Sequence, residues 1–320
     1  MASIGYHASH EQFKPSELLH YAKLAVEAGF EFINCSDHFH PWSKRQGQSG
    51  FSFAWLGAAM QAIDLPFGVV CAPGQRYHPA IVAQAVATLC EMFPQRFWIA
   101  VGSGEALNER ITGDKWPTKT DRNIRLKECV DIMRRLFRGE TVSHYGSVVV
   151  EEAKLYTLPE QAPMIVGAAV SAATAEWMGA WADGLVTVSA PLPELQKIVD
   201  AFRKGGGNDK PMYLKVQLSY ANSEKDALEG AFEQWRTNIF SGSVLGDLWK
   251  VEQFDALGEM VQPDELRKMI NISADLDFHA QQIKQYVNMG FDKILLHNVN
   301  RGQETFIRTF GREIITRFRK

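Results

Sequence analysis

Eight short apolar segments alternate with helical segments along this chain, and that alternation limits the possible folds more than any other feature. Most of the segments are apolar along their whole length, as parallel strands are when both faces of the sheet are covered. The predicted strands cover residues 3–7, 32–35, 67–71, 97–101, 164–167, 184–188, 213–218 and 293–296. The sequence therefore predicts an α/β protein with a parallel sheet.

Helical periodicity fills the intervals between these strands. Pro15 and Pro79 lie where a first helical turn is expected, and Gly29 and Gly290 lie at helix-to-strand joints, where a left-handed cap suits glycine. The predicted helices cover residues 15–28, 51–63, 79–93, 125–137, 172–181, 192–204, 227–239, 278–289 and 303–317.

Eight strands favour a (β/α)8 TIM barrel over a doubly wound sheet. A dinucleotide-binding sheet has a G-x-G-x-x-G loop after its first strand, whereas residues 8–11 read ASHE. The barrel needs about 250 residues, which leaves roughly 70 for insertions. Segments 112–121, 141–158 and 241–272 can hold them, with a hairpin as one option in 141–158. Since no Pro/Ser-rich linker divides the chain, we predict one domain over residues 1–320.

Composition argues against several classes of protein. The chain has 34 Lys and Arg against 37 Asp and Glu, a formal net charge of -3, whereas a nucleic-acid binder needs clustered cations. The four cysteines are far apart and show no C-x-x-C spacing, which argues against a disulfide scaffold or zinc ribbon. No signal-peptide pattern and no run of about 18 apolar residues is visible. We therefore expect a cytoplasmic enzyme that binds neither nucleic acid nor membrane.

Catalytic side chains in a TIM barrel lie at the carboxyl ends of the strands. The second predicted strand is followed by His38, which lies next to Asp37. A histidine has an ordinary pKa of about 6.5, so it can exchange a proton at neutral pH as a general base does. The alternative is a structural Asp–His hydrogen bond, and the sequence leaves both open.

The fourth predicted strand is followed by GSGEALNE at residues 102–109. Two glycines allow a close approach of the backbone to an anion or a flavin, and a helix is expected to begin near Ala106. Glu105 at its first turn is favoured by the helix dipole, which is also a common structural arrangement. His38 and Glu105 would place a base and an acid on alternate strands at one end of the barrel.

A metal site is the main alternative that the residues leave open. Metal-dependent barrel hydrolases and isomerases collect histidines at this end of the barrel, together with several carboxylates. Only Asp37 and Glu105 are obvious carboxylates here, so we predict no metal. The histidines that could contribute are His7, His38, His40 and His297.

Three motifs resemble the luciferase-like superfamily, and within it the branch that contains deazaflavin (coenzyme F420)-dependent glucose-6-phosphate dehydrogenases. They are GYHASHEQF at 5–13, SDHFHPW at 36–42 and VGSGEALNE at 101–109. RYHPA at 76–80, AQA at 83–85, WP at 116–117 and ADG at 182–184 add to the match. The resemblance covers most of the chain and implies a luciferase-like TIM barrel with the cofactor ring at the carboxyl end of the strands.

The resemblance also implies residue roles. His38 would be the base that removes a substrate hydroxyl proton, Trp42 would stabilise the intermediate, and Glu105 would be the acid that serves the reduced cofactor. The positions that match cofactor contacts of the family are Asp37, Val70, Cys71, Ser103, Gly104, Asn108, Gly167 and Ala168.

Two of the chain's departures from the family bear directly on its ligands. Relatives that bind a sugar phosphate carry a lysine soon after the sixth strand, whereas residues 188–192 read VSAPL. A phosphate dianion would lose a major partner there, which argues against glucose 6-phosphate as the substrate. The paired glycines after the fifth strand are GAA at 167–169, so FMN and F420 both stay open as the cofactor.

We predict a flavin- or deazaflavin-dependent oxidoreductase that transfers a hydride between the cofactor and a small organic substrate. The alternatives are an FMN-dependent monooxygenase of the same fold, a metal-dependent barrel hydrolase or isomerase, and a non-catalytic flavin-binding relative. A homodimer is expected from analogy alone. The aromatic segment 240–254 either covers the site as a mobile lid or packs as ordinary core.

Overall fold

A computed structural model that describes residues 2–319 contains a closed barrel of parallel strands. The strands in these residues are β1 (Ser3–Ala8), β2 (Ile33–Ser36), β3 (Phe67–Cys71), β4 (Phe97–Val101), β5 (Val142–Tyr145), β6 (Val149–Ala153), β7 (Met164–Ala168), β8 (Gly184–Val188), β9 (Met212–Ser219), β10 (Asn271–Ile272) and β11 (Lys293–Asn298). The order around the barrel is β1-β2-β3-β4-β7-β8-β9-β11, and β11 pairs with β1 to close it. These are the eight predicted strands, so the predicted TIM barrel is confirmed.

Helices lie between the barrel strands, and most of them pack against the outer faces of the strands. They are α1 (Pro15–Ala28), α2 (Ser52–Ala62), α3 (Pro79–Met92), α4 (Ala106–Glu109), α5 (Lys119–Phe137), α6 (Ala172–Gly179), α7 (Leu192–Phe202), α8 (Glu224–Trp235), α9 (Gly242–Leu245), α10 (Val251–Gly258), α11 (Leu276–Asn288), α12 (Gln303–Phe310) and α13 (Thr316–Phe318). The start of α5 was predicted wrongly, because this helix begins at Lys119 rather than at residue 125. Thr118 caps it by accepting a hydrogen bond from the Asp121 backbone N–H at 3.3 Å.

Two of the predicted insertions have structure of their own. Segment 141–158 forms the antiparallel hairpin β5–β6. Segment 241–272 contains α9, α10 and the short strand β10, which pairs with the carboxyl end of β9. Phe254 in α10 is fully buried, and its ring centroid lies 5.2 Å from that of Trp42. Phe254 therefore packs as core, as one of the two interpretations of segment 240–254 states.

Side chains alternate between the barrel interior and the helix-facing side of each strand. Near the carboxyl end, which we call the mouth, the interior is divided into two halves. Strands β9, β11, β1 and β2 carry its polar half, defined as Lys215, His297, His7 and Asn34. Strands β3, β4 and β7 carry small apolar side chains such as Val70, Ala100 and Ala168. Below them a cluster that includes Trp98, Val166, Tyr213 and Leu295 fills the barrel.

In residues 2–319, no helix combines the length and the apolar character that crossing a membrane requires.

Candidate active site

A buried carboxylate lies against His38 at the mouth. His38 Nδ1 lies 3.2 Å from Glu11 Oε1, at an angle that does not make a hydrogen bond. Glu11 follows β1 and accepts hydrogen bonds from Ser36 Oγ at 2.6 Å and Ser9 Oγ at 2.9 Å. Burial favours a higher pKa for Glu11, but His38, Ser36 and Lys215 together lower it to about 2. Glu11 is therefore ionised at neutral pH, and its charge is directed at the imidazole.

The imidazole of His38 is neutral at physiological pH. Burial lowers the pKa of His38, although the charge of Glu11 opposes that shift. Its Nδ1 is buried toward Glu11, while 16% of the side chain remains exposed. Nε2 is therefore the ring atom available to accept a proton from a ligand. The Trp42 ring lies beside it, with ring centroids 5.1 Å apart and planes inclined by 62°.

Glu105 has the opposite protonation behaviour. It precedes α4, as predicted, but its carboxyl makes no capping bond with that helix. Among residues 2–319 its buried Oε2 has no hydrogen-bond partner. Burial raises the pKa of Glu105 to about 8, even though the nearby charge of Lys215 opposes that shift. Glu105 is therefore protonated at neutral pH and can act as an acid.

The helix that follows Glu105 holds the loop that carries His38. Asn108 Oδ1 accepts hydrogen bonds from the Phe39 N–H at 2.9 Å and from the His40 N–H at 3.1 Å. His40 Nδ1 lies 2.9 Å from the Leu107 carbonyl oxygen and donates to it. These bonds fix the backbone that directly follows the base.

A buried ion-pair network joins three loops beneath the mouth. Arg76 Nη2 donates to Asp37 Oδ2 at 2.8 Å, and its Nε lies 3.4 Å from Glu109 Oε1. Asp37 Oδ1 also accepts from Ser52 Oγ at 2.6 Å and from the Tyr77 hydroxyl at 3.2 Å. Since both oxygens of Asp37 are bound within the protein, a contact between Asp37 and a cofactor would use backbone atoms.

We expect Arg76→Met to destabilise the fold by about 3–5 kcal/mol, because it leaves the buried Asp37 carboxylate without its cation. Urea unfolding monitored by circular dichroism measures the loss. Lys127→Met is the matched control, because it breaks an exposed pair with Asp131 that contributes only about 0.5 kcal/mol. Equal stabilities of the two variants would contradict the role given to Arg76.

The strand residues that were predicted to contact the cofactor point in two directions. Val70 and Ala168 face the barrel interior. Cys71 belongs to the core between strands and helices, and a Cβ at Gly167 would lie 2.6 Å from Met178 Sδ on α6. A ligand in the mouth can therefore touch the side chains of Val70 and Ala168, but only the backbone of Cys71 and Gly167.

The loop after β4 presents a surface without large side chains to the mouth. A Cβ added at Gly102 would meet only the Ala168 Cβ within contact range, at 3.7 Å. Gly104 has a φ of 80°, and a Cβ there would lie 2.8 Å from Glu109 Cγ, so glycine is required. Ser103 Oγ accepts a hydrogen bond from Lys119 Nζ at 2.7 Å. Backbone and small apolar groups thus form one wall of the mouth.

The histidines at the mouth do not form a metal site. His7 and His297 are neighbours, with ring centroids 4.6 Å apart, but His38 is directed at Glu11 and His40 at Leu107. Across residues 2–319, no three His, Cys, Asp or Glu side chains come together in a way that could hold a metal ion. The geometry gives the metal-dependent alternative no support.

Comparison with known proteins agrees with the resemblance. The chain matches the family model described as luciferase-like monooxygenase over residues 2–293. It belongs to that luciferase-like family. An F420-dependent glucose-6-phosphate dehydrogenase of Microbacterium testaceum (strain StLB037) is 36% identical over 341 residues, which cover 99% of this chain and 97% of the relative. The protein of the same name from Amycolatopsis mediterranei (strain U-32) is 31% identical, with 100% and 99% covered.

A solved structure is also similar over the whole length of this luciferase-like chain. An F420-dependent secondary alcohol dehydrogenase in complex with an F420-acetone adduct superimposes with a TM-score of 0.91 at 28% identity. The superposition covers 100% of this chain and 99% of that one.

Two residues at the mouth of this luciferase-like barrel were missed as candidates by the sequence analysis. Glu11 was read only as part of a motif, and Lys215 only as part of a strand. Lys215 is the one charged residue in the otherwise uncharged stretch 213–218. An isolated charge in an apolar strand is the signal that could have identified it.

Proposed function

We propose that this chain is an oxidoreductase that uses coenzyme F420 to oxidise a small alcohol, or to reduce the corresponding carbonyl compound. The observation that carries the proposal is the contact of His38 Nδ1 with the buried Glu11 carboxylate, at the same mouth as the buried, unpartnered Oε2 of Glu105. The F420-dependent relatives and the F420-dependent structural neighbour support the choice of cofactor.

The residues at the mouth fit a flat cofactor ring. The wall formed by Gly102, Val70 and Ala168 lacks large side chains, so a ring system can lie against it. Glu105 Oε2 is a buried polar atom without a partner among the described residues, as expected of a group that serves a ligand. The side chains of Val70 and Ala168 and the backbone of 102–104 would hold the ring.

When bound, F420 supplies a carbon centre that accepts or returns a hydride. His38 Nε2 accepts the proton of the substrate hydroxyl, and Glu11 stabilises the imidazolium that results. Trp42 packs against the imidazole and keeps water from that side. Glu105 holds a proton on its carboxyl at neutral pH, and can deliver it where negative charge develops.

Titration of cofactor-stripped protein with F420 and with FMN, followed by absorbance, tests the cofactor. We expect F420 to bind at least about tenfold more tightly than FMN. Tight binding of FMN alone would contradict this and favour a flavin enzyme, to be assayed for oxygen uptake. If neither binds, the cofactor proposal is wrong.

A pair of glycine variants tests the wall. Gly102→Val should weaken F420 binding at least about tenfold, because its side chain would occupy the space for the ring. Gly57→Val is the control, since that glycine on α2 has nothing within 4 Å of an added Cβ and lies outside the mouth. Equal binding by both variants would contradict the assignment of the wall.

The homodimer, the cytoplasmic location and the single domain over residues 1–320 stay predictions. They rest on analogy, on cysteine usage and on the lack of a linker in the sequence.

A further inference from the structure

Lys215 directs a positive charge into the mouth from the centre of β9. Tyr213, two residues earlier, belongs to the interior cluster, whereas Leu214 and Val216 belong to the outer core, so Lys215 points inward. Its backbone is fixed, because its carbonyl oxygen accepts a hydrogen bond from the Ser189 N–H at 2.8 Å.

In the part of the chain that the structure describes, no carboxylate oxygen lies within 4.0 Å of Lys215 Nζ. The two nearby carboxyl groups are already committed: Glu11 accepts two hydroxyl hydrogen bonds and contacts His38, and Glu105 is held in its neutral form. Lys215 Nζ lies over the face of the Trp235 ring, 6.0 Å from the ring centroid. Lys215 is half-buried, so its ammonium lies at the wall of the mouth without a carboxylate partner of its own.

Two further polar groups of the polar half have no partner among residues 2–319. Asn34 Nδ2 and His297 Nδ1 are unbonded, although these residues are 0% and 1% exposed. Asn34 Oδ1 lies 3.0 Å from His7 Nδ1, which makes the amide N–H groups the free side of Asn34. Parallel pairing places His7 of β1 beside Asn34 of β2. His297 of β11 lies one inward-facing position further along the barrel than Lys215 of the neighbouring strand β9.

The chemical state of His297 follows from its neighbour Gln12. Gln12 Nε2 donates to the Val299 carbonyl at 2.8 Å and to Gln234 Oε1 at 3.2 Å, so Gln12 Oε1 is the acceptor that faces His297. His297 Nε2 lies 3.0 Å from that oxygen and carries the proton. Nδ1 is therefore an unpaired acceptor.

The polar half thus offers an ammonium and an amide as donors and an imidazole nitrogen as an acceptor. One cation and one amide match the single charge and two oxygens of a carboxylate. A phosphate dianion would need further cations, and residues 188–192, which follow the neighbouring strand, contain none.

We propose that Lys215 and Asn34 bind the carboxylate of the substrate, so that the enzyme acts on small hydroxy acids or the corresponding oxo acids. This inference rests on the proposed function and names its substrate class. The carboxylate is held and not transformed. Lys215 is therefore a specificity-determining residue of the oxidation proposed above.

Binding of an unreactive acid tests the proposal without turnover. Oxamate is titrated calorimetrically into F420-loaded protein and into cofactor-free protein. Lys215→Met should weaken its binding at least about tenfold, the loss expected for a charged hydrogen-bond partner, and Lys215→Arg should restore part of it. Lys293→Met is the matched control, because Lys293 packs over Phe32 in the interior below the mouth. No binding of oxamate by the wild type, or equal weakening by both Met variants, would overturn the proposal.

Turnover measurements distinguish substrate binding by Lys215 from a purely electrostatic role of this residue. Lactate and 2-propanol differ by the exchange of a carboxylate for a methyl group. We expect Lys215→Met to reduce the preference of kcat/KM for lactate at least about tenfold, mainly through KM. An equal loss for both compounds would overturn the proposal, because Lys215 would then serve only as a counter-charge for Glu11. If F420 fails to bind, the proposed function is wrong, whereas oxamate binding to cofactor-free protein still decides the role of Lys215.

Discussion

Replacement of His38 by alanine should lower turnover by about 10²- to 10⁴-fold, the contribution expected of a general base. The substrate hydroxyl proton then has no acceptor, because the pocket that His38 occupies offers only the ionised Glu11 at its far side. F420 binding should change by no more than a few-fold, since the wall that holds the ring lies on β3, β4 and β7. Steady-state kinetics at saturating substrate and absorbance titration of the cofactor measure the two effects.

His40→Gln is the matched control for this variant. His40 lies in the same loop, but its ring bonds to the Leu107 carbonyl rather than facing the mouth. We expect less than about a tenfold loss. Turnover by His38→Ala that equals that of His40→Gln would remove His38 from the mechanism. Because burial lowers the pKa of His38, the acid-side fall in wild-type activity should occur below the ordinary histidine pKa of about 6.5.

Replacement of Glu105 by glutamine should affect both activity and stability in a pH-dependent way. The wild type should lose activity as pH rises through the Glu105 pKa of about 8, since the carboxyl then loses the proton it donates. The variant has no such proton, so we expect about 10²-fold lower turnover and no basic limb at that pH. A basic limb that persists in Glu105→Gln would assign it to another group.

The stability effect has a defined sign. The pKa of Glu105 rises from 4.5 to about 8 on folding, so its stabilising contribution is complete below pH 4.5 and is lost as pH rises through 8. Glutamine stays neutral throughout. The unfolding free energy of the variant should therefore exceed that of the wild type by up to about 5 kcal/mol at high pH, with little difference in acid.

Urea unfolding at pH values on both sides of this range measures that difference. Glu91→Gln, at an exposed position on α3, is the control and should show no pH-dependent gain. A constant difference between Glu105→Gln and the wild type across pH would mean that Glu105 is ionised in the folded protein.

Where apolar runs are bounded by turn residues, the sequence was sufficient to predict where the strands begin and end. The bounds of β3, β4 and β8 agree with the prediction because β3 and β4 are uninterrupted apolar runs and β8 is interrupted only by Thr187. The strand-end rule also selected the loops of His38 and Glu105 before any geometry was known. The start of α5 was missed because its first turn is polar and charged, so its signal is the Thr118 cap rather than a periodicity.

Side-chain direction inside the barrel was harder to predict. Adjacent residues of a strand face opposite sides, so Val70 and Cys71 could not both present side chains to a ligand. Which of the two faces inward depends on how the strands close. The same alternation of side chains along a strand places Lys215 in the mouth. The Glu11–His38 contact depends on the pairing of β1 with β2.

The contact between Trp42 and Phe254 joins two parts of the chain with different roles: one carries the groups that transfer protons, and the other shapes the pocket. The acid, the base and its carboxylate partner belong to loops of the first half of the chain, whereas α10 lies in the insertion that follows β9. Ser43 Oγ donates to Asp255 Oδ1 at 2.5 Å, which fastens that insertion beside the indole. Changes in α10 can therefore alter the size of substrate admitted next to Trp42, while Gly246, whose carbonyl oxygen accepts a hydrogen bond from the Ala106 N–H beside Glu105 at 3.0 Å, is kept. A library confined to this insertion is the economical way to redirect such an enzyme to new substrates.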